Sequence, residues 1–207
     1  MELYVLPVGG LEENCYILTS EKKNAALIDP GDDYEEIVRS LEEYAITPTM
    51  IILTHGHFDH IGAVNRLREK YGLVVYGHKD DLELMVDIQK NRARYFKIDK
   101  SHYNVEPDKF VEDGDTITLD ELTLKIIHTP GHTQGSICVT CGNIMFSGDT
   151  LFPSECGRCD MYGGDYDKML ASLQKLRNLE GDYNVLPGHG PATTLQTERE
   201  HNQYMKA

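Results

Sequence analysis

The segment Thr54-His55-Gly56-His57-Phe58-Asp59-His60 constrains this chain more than any other feature. Four side chains able to bind a transition metal fall within six residues, directly after the apolar run Met50–Leu53. That run sits in Thr49–Thr54, which has the composition of a buried strand, so the cluster lies where a strand ends. In extended backbone, residues two apart point the same way, which lets His55 and His57 converge on one ion. Asp59 and His60 open the next helix and can face a second ion. A helix N-terminus carries partial positive charge, and the Asp59 carboxylate offsets its repulsion of a cation. Imidazole with carboxylate suits zinc, iron or manganese better than calcium or magnesium.

Three further segments repeat the design. Thr129-Pro130-Gly131-His132-Thr133 follows a strand pattern, and its Pro-Gly pair marks a tight turn presenting His132. Asp149 stands in Ser147-Gly148-Asp149-Thr150, and His189 in Pro187-Gly188-His189-Gly190-Pro191, again after short apolar runs. A lone His or Asp in a glycine-rich turn is usually structural. Four strand ends that each deliver a ligand type are together strong evidence for a metal centre.

The rest of the pattern predicts an α/β chain with two groups of strands, each followed by helices. Leu3–Val8, Asn14–Thr19 and Asn24–Asp29 read as a β-meander, followed by a helix over Asp32–Ala45. Ile61, Val64, Leu67 and Tyr71 recur at helical spacing, and Leu73–Tyr76 is a short strand. Lys79–Tyr95 reads as a charged helix, and Phe96–Asn104 has no period, so 79–104 is expected to be a surface excursion near the site. The β pattern returns in Thr116–Leu119, Leu122–His128, Ser136–Cys141 and Asn143–Ser147. A helix over Asp167–Leu179, a strand Tyr183–Leu186 and a closing helix Thr194–Met205 complete the chain. Two sheets with helices outside them, a four-layer αββα sandwich, would bury both strand groups. With 207 residues and no linker or repeat, one domain over 1–207 is expected.

Composition narrows the function. Net charge is −14 and no Lys/Arg cluster exists, which argues against a nucleic-acid partner. No apolar run is long enough to span a membrane, and the N-terminus has no leader signature, so a cytoplasmic protein is expected. Five cysteines, an odd number, fit reduced thiols better than a disulfide framework. Cys138-x-x-Cys141 and Cys156-x-x-Cys159 mimic a zinc ribbon, but in a strand an offset of three puts Cys138 and Cys141 on opposite faces. His78, His102 and His201 read as surface or loop residues, and His128 either as a residue that hydrogen-bonds a ligand near His132 or as a packed strand-end histidine.

The motif His55-x-His57-x-Asp59-His60, with His132, Asp149 and His189 at their spacing, resembles the metallo-β-lactamase superfamily. His128-Thr-Pro-Gly-His-Thr133, Gly148-Asp-Thr-Leu-Phe152 and Pro187-Gly-His-Gly-Pro191 are similar to its glyoxalase II branch, the hydroxyacylglutathione hydrolases, above all the short bacterial members. The resemblance implies one ion on His55, His57 and His132, a second on Asp59, His60 and His189, and Asp149 bridging them. It implies hydrolysis of a small-molecule S-acyl thioester by metal-bridged hydroxide, with Asp59 orienting that hydroxide. Two ions about 3.5–4 Å apart lower the pKa of a shared water toward ~7. Cys156-Gly157-Arg158 matches a segment that binds the glutathione carboxylate in the branch, making Arg158 a candidate substrate anchor, with Tyr162 beside it. The competing reading for Arg158 is a surface pair with Asp160. Two departures weaken any inference to glutathione: Cys159 and Asp160 replace an aromatic residue, and only one short helix follows Pro191, where longer members carry a helical domain.

Other chemistries share these motifs. A persulfide dioxygenase would use a single iron on His55, His132 and Asp149. Lactone or β-lactam hydrolysis fits the superfamily, though the Gly148–Phe152 and Cys156–Arg158 segments favour the glyoxalase branch. An RNA-processing nuclease is disfavoured by the acidic charge, and a non-catalytic binding protein leaves seven ligand positions without a purpose.

Overall fold

The computed structural model describes residues 1–206, which form two six-stranded sheets. The first sheet opens with the antiparallel strands β1 (Glu2–Val8), β2 (Glu13–Thr19) and β3 (Asn24–Ile28). Helix α1 (Tyr34–Glu43) crosses to β4 (Thr47–Ile52), parallel to β3. Helices α2 (Phe58–Ile61) and α3 (Val64–Tyr71) lead to β5 (Val74–His78), also parallel. After α4 (Leu82–Val86) the chain adds the edge strand β6 (Lys109–Val111). The second sheet contains β7 (Thr116–Leu119), β8 (Leu122–His128), β9 (Ile137–Cys141) and β10 (Ile144–Gly148), all antiparallel. A small ribbon, β11 (Leu151–Phe152) with β12 (Glu155–Cys156), precedes α5 (Tyr166–Arg177). Strand β13 (Asn184–Pro187) then runs parallel to β10, followed by β14 (Thr193–Thr194) and α6 (Leu195–His201).

Alternation along the strands separates three apolar layers. Ile17, Leu27 and Ile51 face outward onto Ile37 and Leu41 of α1 and Val64 and Leu67 of α3. Their neighbours Leu18, Ile28 and Ile52 face inward and meet Ile126, Val139 and Phe146 of the second sheet. On the far side Cys138, Met145 and Val185 pack on Met169, Leu173 and Leu176 of α5 and Leu195 of α6. Each fully buried Leu or Ile contributes roughly 1.5–3 kcal/mol. Both sheets are thus covered on both faces, and the layers run helix, sheet, sheet, helix.

Several element boundaries differ from the sequence reading. The helix expected around Ile61–Tyr71 is broken at Gly62-Ala63, whose N–H groups donate to Gly31 and Pro30 carbonyls at 2.8 and 3.0 Å. A Cβ on Gly62 would lie 2.3 Å from the Gly31 oxygen, so close backbone approach requires the glycine. Lys79–Tyr95 is not one helix. A 3₁₀ turn at Lys79–Asp81 leads into α4, which ends where Asp87 turns extended, and Arg92 adopts a left-handed backbone at φ 75°. The closing helix stops at His201, because Asn202 is extended and caps a separate turn, Gln203–Met205. His78 is not a surface residue: it ends β5, is buried, and stacks on His128 at 4.0 Å between ring centres. His102 is half-buried and His201 is exposed. Cys138 and Cys141 lie in different apolar layers, on opposite faces of β9, and no cysteine enters a metal-sized cluster among the described residues.

Candidate metal centre

Every strand end singled out from the sequence delivers its ligand to one place. His55 and His57 lie between β4 and α2, and Asp59 and His60 on α2 itself. His132 comes from the β8–β9 loop, Asp149 from the turn after β10, and His189 from the turn after β13. Ligand atoms of His55, His57 and His132 lie within 4.8 Å of one another, as do those of Asp59, His60 and His189. Asp149 sits between the trios: Oδ1 is 3.6 Å from His60 Nε2, and Oδ2 is 3.5 Å from His132 Nε2 and 4.0 Å from His189 Nε2.

The outer hydrogen bonds decide which ring atom each histidine turns inward. His60 Nδ1–H donates to Asp29 Oδ2 at 3.0 Å, and His132 Nδ1–H to the Arg158 carbonyl at 2.8 Å. His189 Nδ1–H donates to the Leu11 carbonyl at 3.2 Å. Thr54 gives its hydroxyl proton to Asp29 Oδ2 at 2.5 Å, leaving its oxygen to accept from His55 Nδ1–H at 3.1 Å. These four rings therefore present bare Nε2 lone pairs to the centre. His57 is the exception, with Nδ1 facing His132 Nε2 at 2.9 Å.

Electrostatics reinforce the arrangement. Burial, and then the neighbouring imidazoles, hold His55 and His57 well below the ordinary histidine range, so both stay neutral. Burial also opposes charge on His60, but Asp149, Asp29 and Glu13 outweigh it and raise that ring. Asp59 is buried, yet the hydrogen bond from His189 and the charge of the nearby histidines keep its carboxyl below the usual range. Glu13 is fully buried and pushed well above the carboxylate range by that burial.

These donors fit metal ions. The buried Nε2 atoms of His55 and His60 and Oδ1 of Asp149 have no hydrogen-bond partner, an arrangement costly unless something else satisfies them. A tetrahedral ion with bonds of roughly 2.0–2.1 Å sets its ligand atoms about 3.3 Å apart. The contacts of 2.9, 3.5 and 3.6 Å bracket that spacing.

Supporting residues that sequence reading missed hold the loops in place. Asp29 accepts from the Thr54 N–H and hydroxyl and from His60. Asp81, in the segment read as a surface excursion, is buried and accepts from Gly56 N, Thr133 Oγ1 and Gly135 N at 3.0, 2.7 and 2.6 Å. It ties the His55–His57 turn to the His132 loop. Asn14 and Tyr16 of β2 donate to the carbonyls of Pro187 and Gly190 around His189. Gly157 presses on the centre from outside, since a Cβ there would lie 1.8 Å from the Asp149 carbonyl oxygen.

An open cleft of about 420 Å³ lies over the centre, with His57, Asp59, His132 and Asp149 at its base and Phe58, Phe96, Phe152, Arg92 and Arg158 among its walls. Arg158 lines this cleft, but its exposed guanidinium makes two 2.7 Å bonds to Asp160. Tyr162 is exposed, donates its hydroxyl to Glu83 at 2.6 Å and is not among the residues lining the cleft.

This architecture and donor set define a metal-dependent hydrolase, and residues 8–189 match the profile of the Metallo-beta-lactamase superfamily, to which the chain belongs. Among curated proteins it is similar to hydroxyacylglutathione hydrolase GloC of Haemophilus influenzae, at 31% identity over 100% of this chain and 99% of that one. Among solved structures, BLEG-1 B3 metallo-beta-lactamase superposes with a TM-score of 0.91 at 34% identity, covering 100% of both chains. TTHA1623 in a di-iron-bound form superposes with a TM-score of 0.86 at 36% identity, over 97% of this chain and 99% of that one.

Proposed function

We propose that the protein is a dinuclear metal-dependent thioester hydrolase of the hydroxyacylglutathione hydrolase type. The observation that carries this reading is the pair of convergent trios on either side of Asp149, where His55 Nε2, His60 Nε2 and Asp149 Oδ1 are buried without any other partner. His55, His57 and His132 would hold one ion, Asp59, His60 and His189 the other, and Asp149 both. Zinc suits the donors, and the di-iron form of TTHA1623 keeps iron in view. When bound, two such ions activate water near neutral pH and polarise a carbonyl oxygen.

The chain's own groups supply the positioning. Asp59, ionised at neutral pH, is an acceptor that can hold an attacking water by its proton. Neutral His55 and His57 offer lone pairs instead of protons. Asp29 and the Arg158 carbonyl fix the tautomers of His60 and His132, so no proton must move before substrate enters. Phe58, Phe96 and Phe152 form apolar walls that keep bulk water from an acyl group over the centre.

Similarity to GloC along the whole chain supports the thioester class, and the second trio would give a second ion ligands of its own. No helix among the described residues is long and apolar enough to cross a membrane, and all five cysteines are free thiols, which accords with a reducing, cytoplasmic setting. The test is metal content per chain by elemental analysis, with hydrolysis of S-lactoylglutathione on the same sample. Close to two ions with turnover is the expected result. One iron without turnover would overturn the reading, and two ions without turnover would remove the substrate class.

A further inference from the structure

The cleft contains one cation with nothing to hold. Of the eight arginines, Arg39, Arg66, Arg68, Arg158, Arg177 and Arg199 bond to carboxylates or carbonyls. Arg94 is exposed and lies outside the cleft. Arg92 lines the cleft, yet its guanidinium makes no hydrogen bond or ion pair among the described residues, only a ring contact with Tyr95 at 5.5 Å. In a chain of net charge −14 an unpaired arginine beside a metal centre is conspicuous; Asp160, whose carboxyl feels the charge of Arg92, is already held by Arg158.

Its backbone is built to place it. Arg92 sits at φ 75°, a conformation that suits Gly or Asn and costs a long side chain about 1 kcal/mol. The preceding Asn91 is fully buried and clamps the turn. Its carbonyl accepts from Phe58 N at 3.0 Å, its side chain donates to the Tyr103 carbonyl at 2.8 Å, and its Oδ1 accepts from Ala93 N at 3.0 Å. Phe58 opens the helix that carries Asp59 and His60, so the Arg92 turn is docked onto the ligand-bearing element.

We propose that Arg92, and not Arg158, grips a carboxylate on the substrate, which makes the substrate an anionic thioester. The proposal rests on the thioester-hydrolase reading above. A guanidinium fork without a partner binds a carboxylate through two parallel N–H···O bonds. Arg158 would first have to release Asp160.

Three propanoyl-sized thioesters test it on the zinc-loaded protein: one neutral on 3-mercaptopropionamide, one with the carboxylate on the thiol (3-mercaptopropionate), and one with it on the acyl group (succinyl). Arg92→Ala should raise KM about ten- to a hundred-fold for one carboxylate substrate, with kcat little changed, and leave the neutral one within about two-fold. The affected substrate identifies the arm that carries the charge. Arg92→Asn, which suits the left-handed backbone, should behave the same, and Arg92→Lys should fall between. An equal change for charged and neutral substrates, or a selective loss in Arg158→Ala instead, would overturn the proposal. If the wild-type protein turns over none of them, KM cannot be read, and the thioester reading itself fails only if S-lactoylglutathione is not hydrolysed either. Binding of the matching non-hydrolysable thioethers to wild type and Arg92→Ala then decides the anion site: weaker carboxylate binding in the variant upholds it, and equal binding overturns it.

Discussion

Asp81→Ala offers the sharpest check on how the centre is held. Asp81 touches no proposed ligand, yet its carboxylate accepts from Gly56 N, Gly135 N and Thr133 Oγ1 across two loops. Truncation leaves the Gly56 and Gly135 N–H groups facing a void, whereas Thr133 retains Ser136 Oγ at 2.7 Å. Each orphaned buried donor costs about 1–3 kcal/mol. Burial raises the Asp81 carboxyl against the pull of its three donors, so removing a desolvated charge returns part of that loss. A net destabilisation of about 3 kcal/mol follows, a large share of the ~5–15 kcal/mol of a typical domain. With a urea slope of about 2 kcal/mol/M the midpoint should fall by about 1.5 M. Loosened loops should also weaken metal retention at His55, His57 and His132 by about ten- to a hundred-fold, read by competition with a chelator. Asp81→Asn keeps the volume and one acceptor oxygen and should lose about half as much stability. A midpoint within about 0.3 M of wild type, with unchanged metal retention, would refute the view that Asp81 ties the loops together.

Asp149→Ala should leave fewer than two ions per chain and abolish hydrolysis, and normal turnover by that variant would sink the bridging role. Gly157→Ala drives a methyl into the Asp149 carbonyl at 1.8 Å, so a loss of about 1–3 kcal/mol in urea unfolding together with lowered metal content is expected; an unchanged variant would refute the close contact. In chelator, stability should fall as pH drops from about 6 toward 5. His55 and His57 stay neutral when folded but take up protons when unfolded below their ordinary value of 6.5. Glu13 and His60, both raised in the folded state, oppose this trend in the upper part of that window by holding protons that the unfolded chain has released. The fall steepens toward pH 5, where the unfolded chain carries both histidine protons, and a flat urea midpoint between about pH 6 and 5 would contradict it.

The sequence by itself determined the candidate ligands and the layering. His55, His57, Asp59 and His60 are adjacent in the chain, and His132, Asp149 and His189 each follow a short apolar strand through a glycine-containing turn. Such patterns are local, and period-two or period-three-to-four spacing reports which face is buried without knowledge of the partner. Only the tertiary structure decided what supports those ligands. Asp29, Asp81 and Asn14 reach loops about 25 to 176 residues away, and nothing local distinguishes them from other acids and amides. The break at Gly62 and the left-handed turn at Arg92 depend on the Gly31 carbonyl and on Phe58 N, contacts that exist only once the sheets have closed. Arg158 and Arg92 look alike as residues on a page. Which of them is already spent on a neighbouring carboxylate, and which faces the cleft unpaired, is a matter of three-dimensional neighbours that spacing along the chain does not encode.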